Sequence, residues 1–389
     1  MEIPAPVEEI IEKLNLAGYE AYVVGGCVRD SLLKRQPGDW DITTSARPEE
    51  VKALFKRTVD TGIQHGTVTV MKGKTGYEVT TYRIDGEYED GRHPKSVEFT
   101  GNLLEDLKRR DFTINAMAYS HRTGLVDAFG GMEDLAQGKI RCVGKPQDRF
   151  MEDALRILRA IRFSAQLGFE IEPETKKAIS GIAPNLAKVS KERIQTELTK
   201  LLLSPNPEYI RMVYETGISP YIAEGFDLIP EEKIAISSSL PEEKSLRWAA
   251  FLCPAGEKAA VSILKELKMD NDTIFRTRTL AAWKDQPVEP CKPKIRYVMS
   301  QMMPELYDNL LLLKQAGGAE ELSEVQRLSD EIRRDRDCVS LKTLAVTGRD
   351  LIEAGMKPGK ELGDTLERLF HMVLEHPEYN TREYLLTQL

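Results

Sequence analysis

The sequence predicts an α+β protein in which an N-terminal mixed α/β head precedes an all-helical region. Over roughly the first 140 residues, segments with strand-like apolar alternation take turns with segments of helical apolar spacing. From Asp148 onward almost every segment has helical spacing, and prolines such as Pro184, Pro220 and Pro254 separate these segments. We therefore expect a sheet near the N-terminus and helices elsewhere.

Turn residues and apolar spacing place the individual elements. Gly25–Gly26 ends one β-branched run, and residues 73–76 join two more runs as a hairpin. Apolar residues recur on one face from Leu362 to Leu374 and predict a buried helix near the C-terminus. In the head, the predicted helices are 6–16, 27–33 and 49–55, and the predicted strands are 21–24, 39–43, 67–72, 77–82 and 97–99.

The composition is typical of a globular protein and argues against a membrane protein. The 389 residues are 41% hydrophobic and 30% charged, and the mean hydropathy is -0.37. No apolar run is long enough to span a bilayer, and the N-terminus lacks the features of a signal peptide. We expect a cytoplasmic protein whose five cysteines, which lack zinc-ligand spacing, are reduced thiols.

The net charge of -8, taken alone, argues against a nucleic-acid-binding protein, because phosphate contacts need clustered Lys and Arg. The average hides a local difference. Between Lys139 and Leu203 there are 13 Lys or Arg residues against 8 Asp or Glu residues. This stretch can form a basic stripe on an otherwise acidic protein.

Asp39 and Asp41 lie two residues apart on a predicted strand, so both carboxylates project from one face. Adjacent carboxylates repel each other unless a divalent cation neutralises them, and magnesium favours such oxygen donors together with phosphates. Glu78, on strand 77–82, can add a third carboxylate. The alternatives are a solvated turn for the pair and an exposed hairpin residue for Glu78.

Two further segments carry groups suited to phosphate and ribose. Gly25–Gly26 opens a helix where backbone N–H groups can meet a phosphate, and Arg29 lies one turn into that helix. In the run 108–119, basic residues precede Asp111 and Asn115, which we expect on one helix face. A tight turn and a solvated helix start are the alternatives. Three carboxylates beside a phosphate turn are what two-metal, in-line nucleotidyl transfer requires.

These motifs, in this order, resemble those of the class II tRNA nucleotidyltransferase and poly(A) polymerase family. The head motifs are the segments 25–30, 38–43, 109–118 and 127–131, and the segment 152–156, Glu-Asp-Ala-Leu-Arg, resembles the family's nucleotide-selecting motif. The stretch 348–374 is similar to the tail of Gram-positive CCA-adding enzymes. There is no His-Asp doublet, so we expect no phosphohydrolase domain of the kind fused to some relatives.

The resemblance implies a polymerase-beta-like head at 1–138, a helical neck at 139–204, a body at 205–300 and a tRNA-binding tail at 301–389. It implies Mg²⁺ as the cofactor and tRNA, CTP and ATP as the binding partners. It implies no membrane association, and it is compatible with a homodimer. Asp39, Asp41 and Glu78 are the implied catalytic residues, with Asp39 and Asp41 as metal ligands. The implied nucleotide contacts are Gly26, Arg29, Arg110, Asp111, Asn115, Asp153, Arg156, Arg159 and Arg162.

Asp153 and Arg156 also suggest how such an enzyme selects bases without a template. A carboxylate accepts from the amino group of cytosine or adenine while a guanidinium donates to the adjacent ring nitrogen. Uracil and guanine reverse this pattern, so the site should reject both. Asp153, Arg156, Arg159 and Arg162 recur every three residues, which on a helix places them within one half-circle. An amphipathic helix with a wet, arginine-rich face is the alternative.

The polar stretch 85–94 resembles the loop that the family uses to switch from CTP to ATP, and Asp127 with Gly130–Gly131 matches a hinge between head and neck. Addition of C, C and A to tRNA is therefore the expected activity. The alternatives are a poly(A) polymerase, an A-adding or CC-adding enzyme, a small-molecule nucleotidyltransferase, and a catalytically silent RNA-binding protein.

Overall fold

The structure is a computed structural model that describes residues 1–86, 97–234, 236–318 and 322–389. The chain forms two compact units. The first comprises Met1–Asp227 with Glu266–Lys268, and the second comprises Leu228–Lys265 with Met269–Leu389. Among the described residues, no helix is both long enough and apolar enough to cross a membrane.

The first unit contains the mixed sheet that the sequence predicts. Its strands are β1 (Ala21–Val24), β2 (Ile42–Thr44), β3 (Thr58–Gly62), β4 (Thr67–Lys72), β5 (Thr75–Thr81), β6 (Arg83–Asp85), β7 (Val97–Phe99), β8 (Met117–Ser120), β9 (Gly124–Asp127), β10 (Lys139–Ile140) and β11 (Glu170–Ile171). Seven of them form one sheet in the order β3-β4-β5-β2-β1-β8-β9. In this sheet the β2–β5 pair is parallel and the other pairs are antiparallel.

Some helices of the first unit pack on this sheet, and others follow it along the chain. They are α1 (Ala5–Leu16), α2 (Gly26–Leu32), α3 (Pro48–Leu54), α4 (Leu103–Lys108), α5 (Gly131–Gln137), α6 (Pro146–Glu152), α7 (Leu155–Leu167), α8 (Pro173–Ile182), α9 (Lys191–Leu202) and α10 (Met212–Glu215). The apolar face of α1 is buried, as its spacing predicts: Val7, Ile10 and Leu14 are fully enclosed.

The second unit is helical in its described part, which confirms the predicted fold class. Its helices are α11 (Lys244–Leu252), α12 (Glu257–Glu266), α13 (Asn271–Trp283), α14 (Lys292–Ser300), α15 (Pro304–Ala316), α16 (Ser323–Asp335), α17 (Gly348–Glu353), α18 (Lys360–Glu375) and α19 (Arg382–Leu386). The predicted C-terminal helix is α18, and its residues Leu369, Phe370, Val373 and Leu374 lie in a buried apolar cluster.

Several element predictions are confirmed and others are wrong. Strands 21–24, 67–72 and 97–99 have the predicted bounds. The hairpin turn is tighter than predicted, because Lys72 pairs with Thr75 across Gly73 and Lys74. The strands that were not predicted are β3, β6, β8, β9, β10 and β11. Strand β8 lies in a segment for which we expected a helix, because a short buried apolar run has no periodicity that separates strand from helix.

Candidate active site

Two carboxylates precede β2 and a third lies on β5. The prediction that Asp39 and Asp41 lie on a strand is wrong, because β2 begins only at Ile42. The parallel pairing nevertheless brings the carboxylates together. Ile42 pairs with Val79, so the residues just before them, Asp41 and Glu78, lie side by side at one edge. Asp39, Asp41 and Glu78 all line one cavity of about 480 Å³.

The carboxylates of this cavity repel one another. Burial raises the pKa of Asp41; the nearby Arg110 guanidinium opposes this shift and Asp39 adds to it. Burial, with the charges of Asp41 and Asp39, also raises the pKa of Glu78. Each ionised carboxylate therefore makes the next harder to ionise, which is the condition that a cation relieves.

The donor set fits a metal ion that also binds substrate. Among the described residues, no three Asp, Glu, His or Cys side chains are close enough to hold a metal ion together. Magnesium, however, usually keeps several waters and takes one or two carboxylates plus substrate phosphates. Asp39 and Asp41 supply that number of carboxylates at the wall of the cavity.

Two guanidinium groups flank the glycine turn between β1 and α2. Gly25 has a φ of 78°, and a Cβ at this residue would lie 2.9 Å from Nη1 of Arg110. A Cβ on Gly26 would lie 3.7 Å from Nη2 of Arg29. The buried Nε of Arg110 has no hydrogen-bond partner in the described part of the chain. Arg29 is paired with Asp30 and Arg110 lies 3.6 Å from Asp106, so the turn offers an anion two guanidinium groups, one of which has an unpartnered N–H.

The prediction that Asp111 and Asn115 lie on one α-helix is wrong. Their side chains are nevertheless in contact. Residues Thr113–Asn115 form a single 3-10 turn that leads into β8. Asn115 Nδ2 donates to Asp111 Oδ1 at 3.2 Å, and Arg29 Nη1 donates to Asn115 Oδ1 at 2.6 Å. These bonds connect the Gly26 turn to Asp111.

Asp111 is held as a carboxylate by arginines from α7. Arg159 Nε donates to Asp111 Oδ2 at 2.8 Å. Burial alone would raise the pKa of Asp111, but Arg159 and then Arg156 outweigh it and hold the pKa far below its usual range. The carboxylate is thus charged and acceptor-only, and it can accept from a ribose hydroxyl.

The sequence predicts four residues at three-residue spacing on one helix, and this is correct for three of them. Arg156, Arg159 and Arg162 lie on α7, but Asp153 precedes that helix and accepts from the Leu155 backbone N–H at 3.1 Å. Arg162 donates through Nε to the carboxylate of Glu197 on α9. An aspartate just before a helix accepts hydrogen bonds from its free N–H groups, which explains why Asp153 lies outside α7.

Asp153 and Arg156 each have an ion-pair partner of their own. Arg193 on α9 contacts the Asp153 carboxylate through two nitrogens, at 2.7 and 3.3 Å. Arg156 pairs with Glu152 at 2.6 Å and donates to the carbonyl of Arg109 at 3.0 Å. These partners fix the directions in which the two side chains point.

Sequence reasoning missed Arg193 and Glu197, and it included Glu152 in the 152–156 motif without giving it a role. Arg193 and Glu197 lie four residues apart on α9, so they share one helix face, and α9 packs against α7. That spacing was the only local signal. The pairs with Asp153 and Arg162 span 40 and 35 residues, so only the packed helices reveal them.

The segment expected to be a hinge forms a capped turn. Both carboxylate oxygens of Asp127 accept at 2.8 Å, from the backbone N–H groups of Gly131 and Met132, at the start of α5. A Cβ on Gly131 would come within 2.5 Å of the Thr113 carbonyl oxygen, so glycine is required there. Hinge motion stays a prediction. The loop 85–94 lies almost wholly outside the described residues.

Three family models match the chain. They are described as "Poly A polymerase head domain", over residues 21–141, "Probable RNA and SrmB- binding site of polymerase A", over 168–229, and "tRNA nucleotidyltransferase domain 2 putative", over 240–389. Together they follow the order in which the head motifs and the helical regions occur along the chain.

Several similar proteins are CCA-adding enzymes. The CCA-adding enzyme of Geobacillus thermodenitrificans is 39% identical and the alignment covers 98% of this chain and 95% of the relative. That of Bacillus velezensis is 40% identical, with 94% and 92% covered. The crystal structure of the Bacillus stearothermophilus CCA-adding enzyme in complex with CTP is 33% identical, with a TM-score of 0.86 over 100% and 98% of the two chains. The Thermotoga maritima enzyme complexed with tRNA_CCA, at 22% identity and a TM-score of 0.65, shares the fold.

Proposed function

This chain belongs to the family of CCA-adding enzymes, and we propose that it adds C, C and A to the 3′ end of tRNA from CTP and ATP. No template is used, and pyrophosphate leaves at each step. The observation that carries the proposal is the cavity in which Asp39, Asp41 and Glu78 meet, close to the arginine-flanked Gly25–Gly26 turn. A carboxylate wall and a pair of guanidinium groups are the two halves of a nucleotidyl-transfer site.

Enzymes of this family use a divalent metal ion, and we propose Mg²⁺, held by Asp39 and Asp41. When bound, Mg²⁺ lowers the pKa of an attacking hydroxyl and stabilises charge on the transferred phosphoryl group. The role of the protein is to place two carboxylates at the wall of one cavity, with Glu78 adding negative charge beside them. The raised pKa values of Asp41 and Glu78 support this assignment.

The triphosphate binds at the glycine turn in this proposal. Arg29 and Arg110 approach Gly26 and Gly25, and the unpartnered Nε of Arg110 suits a phosphate oxygen. Asp111 and Asn115 accept from and donate to the ribose. Arg159 and Arg162 influence nucleotide binding through the carboxylates that they orient. Arg159 is hydrogen-bonded to Asp111, and Arg162 is hydrogen-bonded to Glu197.

Asp153 and Arg156 read the base. Asp153 is ion-paired with Arg193, and its carboxylate has further lone pairs that can accept from the amino group present on both cytosine and adenine. Arg156 donates to the ring nitrogen, and the base takes the place of the Arg109 carbonyl that this guanidinium contacts here. Because uracil would leave both groups unpaired, we expect strong discrimination against UTP.

Within the helical part, we propose residues 139–204 as a neck that selects nucleotide and contacts RNA, 205–300 as a body, and 301–389 as a tail that binds tRNA. The basic surplus of 139–203 supports the RNA contact. We propose that the enzyme acts on tRNA in the cytoplasm.

The test is an incorporation assay with Mg²⁺, each nucleotide singly and together, and three tRNA transcripts: one without the CCA end, one without the final A, and one intact. We expect two C residues from CTP alone, a single A on the transcript that ends in CC, and nothing on intact tRNA. Repeated A addition would instead indicate a poly(A) polymerase. Products that stop at CC, or that need a preformed CC, would indicate a CC-adding or an A-adding enzyme.

A further inference from the structure

One buried phenylalanine lies among three of the site arginines. Phe163, on α7, is 6% exposed. The guanidinium carbons of Arg162, Arg29 and Arg159 lie 3.7, 5.0 and 5.3 Å from the centre of its ring. An aromatic face attracts cations within about 6 Å, and the attraction is strongest where water is excluded. A single ring therefore contacts guanidinium groups from two separate elements, α2 and α7.

The edges of these guanidinium groups are occupied by other partners. Arg29 is bound to Asp30 and Asn115, Arg159 to Asp111, and Arg162 to Glu197. A planar guanidinium that is bonded along its edge and attracted to a ring face has its orientation fixed in two directions. The ring supplies the second constraint for all three groups.

The ring also joins the two halves of the proposed nucleotide site. Arg29 belongs to the helix that starts at the glycine turn, and its Nη2 approaches Gly26. Arg159 belongs to α7 and holds Asp111. Phe163 is the residue that both guanidinium groups approach.

We propose that Phe163 is a positioning residue for the nucleoside triphosphate. It does not touch the substrate; its ring face holds Arg29, Arg159 and Arg162 at the angles that nucleotide binding requires. This inference rests on the proposed function of the site. A residue that only filled space would act through its volume, whereas this role depends on the negative potential of the ring face.

The experiment replaces Phe163 with mono-, di- and trifluorophenylalanine in the full chain. Fluorination withdraws the negative potential of the ring face while nearly keeping its shape. The dissociation constants of CTP and ATP are measured by calorimetry, and that of tRNA by filter binding. We expect nucleotide affinity to fall stepwise, by about tenfold for the trifluoro variant, or ~1.4 kcal/mol. Affinity for tRNA should stay unchanged.

Phe150 provides the matched control. It is fully buried on α6 in the same unit, and none of the described cationic side chains lies over its ring. The same fluorinated series at Phe150 should leave nucleotide affinity unchanged. Phe163→Tyr, which keeps the ring face, should bind CTP normally, and Phe163→Leu should bind it as weakly as the trifluoro variant.

The outcomes separate this inference from the proposal beneath it. If the unmodified protein binds CTP and ATP but the Phe163 series shows no trend, Phe163 only packs and the inference is wrong while the proposed function stands. Equal losses at Phe150 and Phe163 would also overturn the inference, because general core perturbation would explain both. If the unmodified protein binds neither nucleotide, the proposed function and this inference fail together.

Discussion

Substituting Gly25 by alanine should weaken nucleotide binding in addition to straining the backbone. The residue has a φ of 78° and a ψ of -126°, a backbone conformation that costs an L-residue ~1–3 kcal/mol. In addition, the new Cβ would lie 2.9 Å from Nη1 of Arg110, so this guanidinium has to move. Hydrogen bonds to a charged group contribute ~1.5–3 kcal/mol, so misplacing one raises the KM for CTP by about 10- to 100-fold.

Two other glycines separate backbone strain from displacement of Arg110. Gly18 has a φ of 92°, and a Cβ added there would have no atom within 4 Å, so Gly18→Ala introduces strain alone. Gly26→Ala introduces a methyl at an ordinary 3.7 Å from Arg29, without positive φ. We expect Gly25→Ala to lose at least as much free energy of unfolding as Gly18→Ala, because only Gly25→Ala adds a close contact to the backbone strain.

The measurements are urea unfolding curves and initial rates of CMP addition at varied CTP. Only Gly25→Ala should show the raised KM, and the KM for tRNA should be unaffected in all three variants. If Gly25→Ala loses no more nucleotide affinity than Gly18→Ala does, Arg110 does not bind the triphosphate from this position. The close approach of Arg110 to the turn would then have no bearing on nucleotide binding.

Three further predictions address the carboxylates and base choice. Asp41→Ala should abolish incorporation while retaining tRNA binding, whereas Asp60→Ala, which removes an exposed ion pair with Lys52, should be silent; retained turnover would remove the metal assignment. Arg156→Met should relax selection toward UTP by about 10-fold or more, measured by competing CTP against UTP, and unchanged selectivity would mean that the base is read elsewhere. Burial and neighbouring charges raise the pKa values of Asp41 and Glu78 in the folded protein. Their protonated forms therefore stabilise the fold at low pH, and that stability is lost as pH rises through these pKa values. Mg²⁺ should accordingly raise the melting temperature more at about pH 8 than at about pH 5, and equal shifts would contradict the shared site.

The sequence determined the fold class because its signals are local. Period-two and period-3.6 apolar patterns predicted the head sheet and the helical remainder, and glycine at positions 25 and 26 marked the turn. The motifs also singled out Asp39, Asp41 and Glu78, which do border one cavity, and their catalytic role stays a prediction. Each of these inferences needed only residue types and their spacing along the chain.

Tertiary structure decided how those residues are combined. The parallel register of β2 with β5 brings Glu78 beside Asp41 even though neither aspartate lies on a strand. Because α9 packs on α7, Asp153 forms its ion pair with Arg193, and Arg156 pairs with Glu152 instead. Contacts across 35 to 40 residues depend on which surfaces the core brings together, and no local spacing encodes them. The sequence was therefore enough to identify the candidate site residues, whereas tertiary packing determined which side chains they contact.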